Sequence, residues 1–107
     1  MIRYDVALSE PAEAELDAAF DYLFLRSPDY AFEWRDQFEA ALVKLEEMPQ
    51  RYAYAPENDH YPIDIRQIWF GKGGSQHRLV FTIIEPEGEH PGIVRILRVR
   101  HAAQSPI

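Results

Sequence analysis

The sequence contains no cysteine. A disulfide scaffold, a thiolate zinc site and a cysteine nucleophile are therefore excluded. Lysine is nearly absent as well, with only Lys44 and Lys72 in 107 residues. No apolar run approaches the roughly 18 residues of a membrane span. The opening stretch Met1-Ile2-Arg3-Tyr4-Asp5 lacks the apolar core and small-residue cleavage site of a secretory signal. A cytoplasmic protein without a membrane partner is expected. The four histidines, His60, His77, His90 and His101, are not at metal-ligand spacing. Gly71-Lys72-Gly73-Gly74 lacks the Lys-Ser/Thr pair and the strand-loop-helix setting of a phosphate-binding loop, and reads as a hairpin turn. Ser9, Ser27 and Ser75 are not set in a nucleophile elbow. No metal and no cofactor are expected.

What is present suffices for one domain, residues 1–107. Hydrophobic residues make up 47% and aromatics 13%, enough for a packed core. The net charge of −7 argues against a general nucleic-acid binder. That total is unevenly spread. Residues 1–59 carry 14 acids and 5 bases, whereas residues 60–107 carry 4 acids and 6 bases together with all the histidines.

Ile2 to Leu8 reads as a short strand. Ser9 is placed to cap a helix, with Glu10, Pro11 and Glu13 suited to its first turn. Ala12, Leu16, Ala19, Phe20 and Leu23 then recur at helical spacing to about Arg26. Ser27-Pro28-Asp29 starts a second helix, in which Ala31, Trp34, Phe38, Ala41, Leu42, Leu45 and Met48 keep the period to Pro49. So short a connection predicts an antiparallel helical hairpin. Glu15, Asp21, Glu33, Asp36, Glu39 and Glu46 fall on the opposite, solvent-facing sides. Residues 49–62, with three prolines and Tyr52, Tyr54 and Tyr61, form a long loop.

Three strands are expected next, Ile63–Phe70, Ser75–Ile84 and Ile93–Arg100, joined by short turns as an antiparallel meander. The order β-α-α-β-β-β makes an α+β domain, a helical hairpin packed on a small, mainly antiparallel sheet. Strict alternation puts Leu79, Phe81 and Ile83 with His77, and Val80, Thr82 and Ile84 with Arg78. It puts Val94 and Ile96 with Arg98 and Arg100, and Ile93, Leu97 and Val99 with Arg95 and His101. Both faces then carry aliphatics. The hairpin covers one, and the other is left for solvent or a partner.

In this order and spacing the chain resembles the RelE/ParE toxins of bacterial toxin–antitoxin modules. The resemblance runs from Tyr4-Asp5-Val6-Ala7-Leu8-Ser9 and Ala12-Glu13-Ala14-Glu15-Leu16, through Leu23 to Ser27-Pro28 and Ala31. It continues with Leu42, Leu45 and Met48-Pro49, then Ile65-Arg66 and His77-Arg78-Leu79-Val80-Phe81. It ends at Ile96-Leu97-Arg98-Val99-Arg100-His101. It implies a growth-arresting, plasmid-stabilising toxin neutralised by a cognate antitoxin encoded beside it. RelE-like members cleave messenger RNA on the ribosome, whereas ParE-like members inhibit DNA gyrase.

Metal-free RNA cleavage needs proton transfer and charge stabilisation at a phosphate, tasks for histidine and arginine. For a nuclease the candidates are Arg78, His101 and Arg66. Arg98, Arg100 and Lys72 are candidates for contacting a partner or a phosphate, and His77 ranks behind these. Each strand arginine also has a structural reading, solvating a face or pairing with Glu85 or Asp64. The tyrosines of the long loop either stack on bases or seal the loop onto the core. His101 is followed by Ala102-Ala103-Gln104-Ser105-Pro106-Ile107, with neither the bases nor the tyrosine that many nucleases of the family carry. That ending and the acidic balance favour the gyrase-binding branch over the nuclease branch. They also admit an inactive relative that keeps only its partner-binding surface.

Overall fold

The computed structural model describes residues 2–105 and 107. Met1 of the opening stretch and Pro106 of the tail lie outside the described residues. Two serines set the hairpin. Ser9 Oγ accepts the Ala12 N–H and Ser27 Oγ the Tyr30 N–H, each at 3.3 Å. Pro11 and Pro28 occupy first turns, where no backbone donor is needed. The helices are α1 (Glu10–Arg26) and α2 (Pro28–Leu45), and Ser27 closes the first while capping the second.

α2 stops at Leu45, short of the Pro49 to which the apolar period extends. A proline disfavours helical geometry in the residue before it, and Met48 turns to a left-handed φ of 48°. The carbonyl of Glu46 is then taken by the Tyr4 N–H at 2.8 Å. Arg3 reaches Glu46 and Glu47 at 2.7 and 3.0 Å, so the first strand draws the chain out of the helix.

The sheet holds β1 (Tyr4–Leu8), β2 (Arg66–Phe70), β3 (His77–Ile84) and β4 (Gly92–His101), in the spatial order β1-β4-β3-β2. β2, β3 and β4 form the antiparallel meander, and β1 joins parallel to β4 by a crossover through the hairpin. This is the α+β arrangement expected. Two strands begin later than the sequence suggests. Residues 63–65 stay irregular because Asn58 Oδ1 takes the Ile65 N–H at 2.8 Å. Ser75 belongs to a 3-10 turn, Gly73–Ser75. Gly71 is required before that turn, since its φ is +84° and a Cβ there would collide with the Ser75 carbonyl.

Leu16, Leu23, Trp34, Phe38 and Leu45 of the hairpin pack on Leu79, Phe81, Val94, Ile96 and Val99 of the sheet. One irregularity decides which side chains face the helices. Val80 pairs with Arg98, but Phe81 pairs with Ile96, so Leu97 is an extra residue in β4. Beyond it the faces swap. Val99 and His101 join Val94 and Ile96 on the helix side, and Arg98 and Arg100 point to the other side. Strict alternation had these four residues reversed.

The second sheet face is also less open than alternation implied. Ala55 and Ile65 of the long loop bury Val80 completely, with Leu97 and Ile107 packed beside them. Backbone bonds pin the loop, Gln67 N–H to Ala53 O at 3.1 Å and Ala55 N–H to Ile65 O at 2.9 Å. Of the large apolar side chains on that face, Trp69 and Ile84 stay exposed, as do Asp5, Ala7 and Arg95 on its β1–β4 side.

Candidate functional site

β1 ends opposite Ile96, and β4 runs on past it to His101. The remaining edge of β4 has no strand beside it, so its donors are satisfied by side chains. Glu15 of α1 accepts the Val99 N–H at 3.0 Å and both ends of the Arg98 guanidinium at 2.9 and 2.8 Å. Gln104 Oε1 accepts the His101 N–H at 2.6 Å. Between this edge and α1 lies a cavity of about 480 Å³, lined among others by Glu15, Ala19, Tyr22, Leu23, Ser75, His77, Val99 and His101.

The two histidines meet there. His77 and His101 are cross-strand partners with ring centroids 5.0 Å apart, edge to face. His101 Nδ1 accepts the Ala103 N–H at 2.9 Å, and its Nε2 lies 2.6 Å from the Gly74 carbonyl. Only the Nε2–H tautomer satisfies both contacts. His77 donates from Nδ1 to the Ser75 carbonyl at 2.7 Å, which leaves Nε2 as an acceptor. Trp34 and Phe70 enclose the ring. That burial lowers the His77 pKa below the ordinary histidine value. The bond to Ser75 opposes the shift and the charge of His101 adds to it. A neutral His77 beside His101 can accept a hydrogen bond from whatever enters the cavity.

The arginines do not converge on this pair. Arg78 is buried in a two-pronged ion pair with Glu57, with Nη1 at 2.8 Å from Oε1 and Nη2 against Oε2, and it also reaches Gln67 Oε1 at 2.9 Å. Those bonds hold the Glu57 carboxyl down to about 2 despite its burial, helped by the Ile107 N–H. Arg66 donates to the carbonyls of Gln50 and Tyr52 at 3.0 and 2.6 Å and lies over the Tyr54 ring. It is four positions along β2 from the Phe70–His77 pair, about 13 Å away at strand spacing. Arg98 is held by Glu15. Arg100 donates to the Ser105 carbonyl at 2.6 Å and stands 3.8 Å from Glu15. Lys72 pairs with Glu33 at 2.7 Å, which raises its pKa.

The counterions differ from those the sequence suggested. Glu85 instead binds the Tyr4 hydroxyl and Gln50, and Asp64 offers its backbone carbonyl to Thr82. Glu15, read as solvent-facing, is half-buried at the site. Burial raises its pKa, but the hydrogen bonds from Arg98 and Val99 and the charges of Arg98 and Arg100 outweigh that and lower it. A local signal for Glu15 existed, because Ala12, Glu15 and Ala19 are three and four residues apart and share one stripe. Glu57 and Ser75 left no such trace. Of the loop tyrosines, Tyr52 packs against Phe81 as a seal, while Tyr54 and Tyr61 stay partly exposed. Among the described residues no group of three His, Asp or Glu side chains is placed to hold a metal ion. No helix there is long and apolar enough to cross a membrane.

The family model described as the ParE toxin of the type II toxin-antitoxin system, parDE, matches residues 6–106. Among solved structures, the chain is similar to one from a chromosomal ParDE toxin–antitoxin system of P. aeruginosa. The TM-score is 0.67 at 18% identity, covering 92% of this chain and 96% of that one. It is also similar to a chain of the RelBE2 toxin–antitoxin complex of Mycobacterium tuberculosis, with TM-score 0.58 and 23% identity over 97% of each. At these identities the structures establish the fold. None of the curated proteins matches the chain.

Proposed function

Because the chain belongs to the ParE toxin family of type II toxin–antitoxin systems, we propose that it arrests growth by binding DNA gyrase, with a cognate antitoxin holding it inactive. The supporting observation is that each cation named as a candidate already has a partner within the chain. Arg78, Arg98 and Lys72 are each paired with a carboxylate, and Arg66 and Arg100 with backbone carbonyls. A nuclease must set several free bases against phosphates. A toxin that binds protein needs none. In a supercoiling assay the purified protein is expected to inhibit gyrase, with the antitoxin relieving the inhibition. No inhibition at saturating toxin overturns this reading.

One observation favours a RelE-like endoribonuclease instead. The His77–His101 pair lines a cavity, and His77 Nε2 is left as a proton acceptor. On that reading His101 and His77 transfer protons, and Arg98, swinging off Glu15, meets the phosphate. Transcript cleavage on expression, lost in His77→Ala and His101→Ala, would establish it and displace the gyrase proposal. Growth arrest without the antitoxin excludes an inactive relative under either reading.

A further inference from the structure

His77 carries a polar atom that nothing in the fold uses. The residue is only 7% exposed. Its Nδ1–H is given to the Ser75 carbonyl at 2.7 Å, and among the described residues no group donates to Nε2. The unpartnered side-chain atoms sealed from solvent are Arg35 Nε, Gln37 Oε1 and Arg100 Nε. His77 Nε2 is not one of them. Because His77 lines the cavity between α1 and the edge of β4, that cavity is where the lone pair can be reached. A buried acceptor without a donor is costly, and a donor on a ligand removes the cost.

The rest of the lining sets what can enter. Ala19, Leu23, Val99 and the Tyr22 ring give apolar walls. The carboxylate on the lining is already neutralised, since Glu15 accepts from Arg98 and from the Val99 N–H, with Arg100 3.8 Å away. Both ring nitrogens of His101 are engaged in its neutral form. A charged ligand would shed its water here with no free counterion to meet it. Gln104 spends Oε1 on the His101 N–H and keeps its amide N–H groups for an acceptor on the ligand. The size is that of a small-molecule site. At about 480 Å³ the cavity falls within the roughly 300–1,000 Å³ of ligand pockets, and a single side chain would leave much of it unfilled.

We infer that this cavity binds a neutral, mainly apolar small molecule that leads with an N–H or O–H donor, received by His77 Nε2. The inference goes beyond the gyrase reading and does not rest on it.

The test titrates the purified full chain with indole, which is neutral and has one N–H, and with N-methylindole, which has lost that donor. Nitrogen NMR of the histidine rings follows His77. Indole is expected to move the Nε2 resonance upfield, as an accepted hydrogen bond does. It is expected to bind at least about five-fold more tightly than N-methylindole. Ala19→Leu, which fills the cavity and leaves His77 in place, should weaken indole at least about ten-fold. His77→Phe, which removes the acceptor, should erase the preference for indole over its methyl derivative. Circular dichroism checks both variants, and the two probes on the parent chain decide even if a variant fails to fold. The inference is overturned if indole leaves the Nε2 resonance unmoved at its solubility limit, or if the two probes bind equally. Indole binding that folded Ala19→Leu keeps within about two-fold places the site elsewhere and overturns it too. Binding of N-acetyltryptophanamide at least about ten-fold tighter than indole assigns the cavity to a tryptophan of a partner protein, and also overturns it. Supercoiling is assayed separately, so failure of the gyrase reading leaves this binding standing, and the reverse.

Discussion

Glu57→Gln removes a single charge from the contact that fastens the long loop to the sheet, and its cost can be worked two ways. The Glu57 carboxyl is held at about 2, against an ordinary 4.5. Each pKa unit corresponds to about 1.4 kcal/mol, so the native state favours the carboxylate by roughly 3 kcal/mol at neutral pH. Independently, removing one partner of a buried ion pair costs about 3–5 kcal/mol, because the other charge stays buried without a counterion. Glutamine keeps one acceptor for Arg78, so the lower figure, roughly 3 kcal/mol, is expected. Urea unfolding followed by circular dichroism at pH 7 measures it. The pH dependence has a definite sign. A lowered native pKa means that the unfolded chain takes up the proton first. The stability from Glu57 is therefore complete above pH 4.5 and is lost as pH falls toward 2. The difference between parent and variant should shrink across that window. Glu57→Leu combined with Arg78→Met, which removes both charges, should recover most of the loss. The reasoning fails if Glu57→Gln lies within about 0.5 kcal/mol of the parent at pH 7, or if the two proteins lose stability equally between pH 4.5 and 2.

Glu15→Gln keeps an acceptor for the Val99 N–H but not the charge facing Arg98, and should cost about 1 kcal/mol. Glu15→Ala strands both donors and should cost about 2–3 kcal/mol in thermal unfolding; an alanine variant no worse than glutamine would remove the backbone bond from the account. Burial of His77 favours its neutral form, so its contribution to stability is whole above pH 6.5 and declines as pH falls toward its lowered native pKa. Ring NMR should find His77 protonated on Nδ1 at neutral pH and titrating below 6.5, and a midpoint at or above 6.5 contradicts the geometry. A Cβ on Gly92 would overlap the Tyr4 ring, whose hydroxyl binds Glu85 and Gln50. Gly92→Ala should therefore cost about 1–3 kcal/mol by urea unfolding, and a neutral effect would mean that the ring moves aside freely.

The helical hairpin was legible because its signals are local. Ser9 and Ser27 cap, Pro11 and Pro28 fit first turns, and the apolar stripe repeats within a few residues. The meander was legible from its turns. Of the candidate site, the sequence offered His101 and, behind it, His77, and the sheet register was needed to bring the two together. What escaped depends on residues far apart in the chain. Glu15 is 83 residues from Arg98, and Glu57 is 21 from Arg78. No periodicity links an arginine on a strand to a carboxylate on a helix or loop, so the nearer-looking Glu85 and Asp64 were the natural but mistaken partners. The bulge at Leu97 had the largest consequence. A one-residue slip moves every later side chain to the opposite face, and Leu97 is as apolar as Ile96 before it, so its composition does not mark it as the extra residue. Placed by strict alternation, Arg98 and Arg100 would crowd the helix side with Val94 and Ile96. With the slip, two aliphatic and aromatic groups, Val99 and His101, close that face. The arginines turn out to the far side, where Arg98 can reach round the open edge of β4 to Glu15. The same extra residue therefore brings His101 beside His77 in the cavity and leaves Arg98 and Arg100 to approach it only through Glu15. A chain without the bulge would present a histidine–arginine cluster on one face. This chain presents the two histidines there, with Arg98 held by Glu15 at the cavity wall.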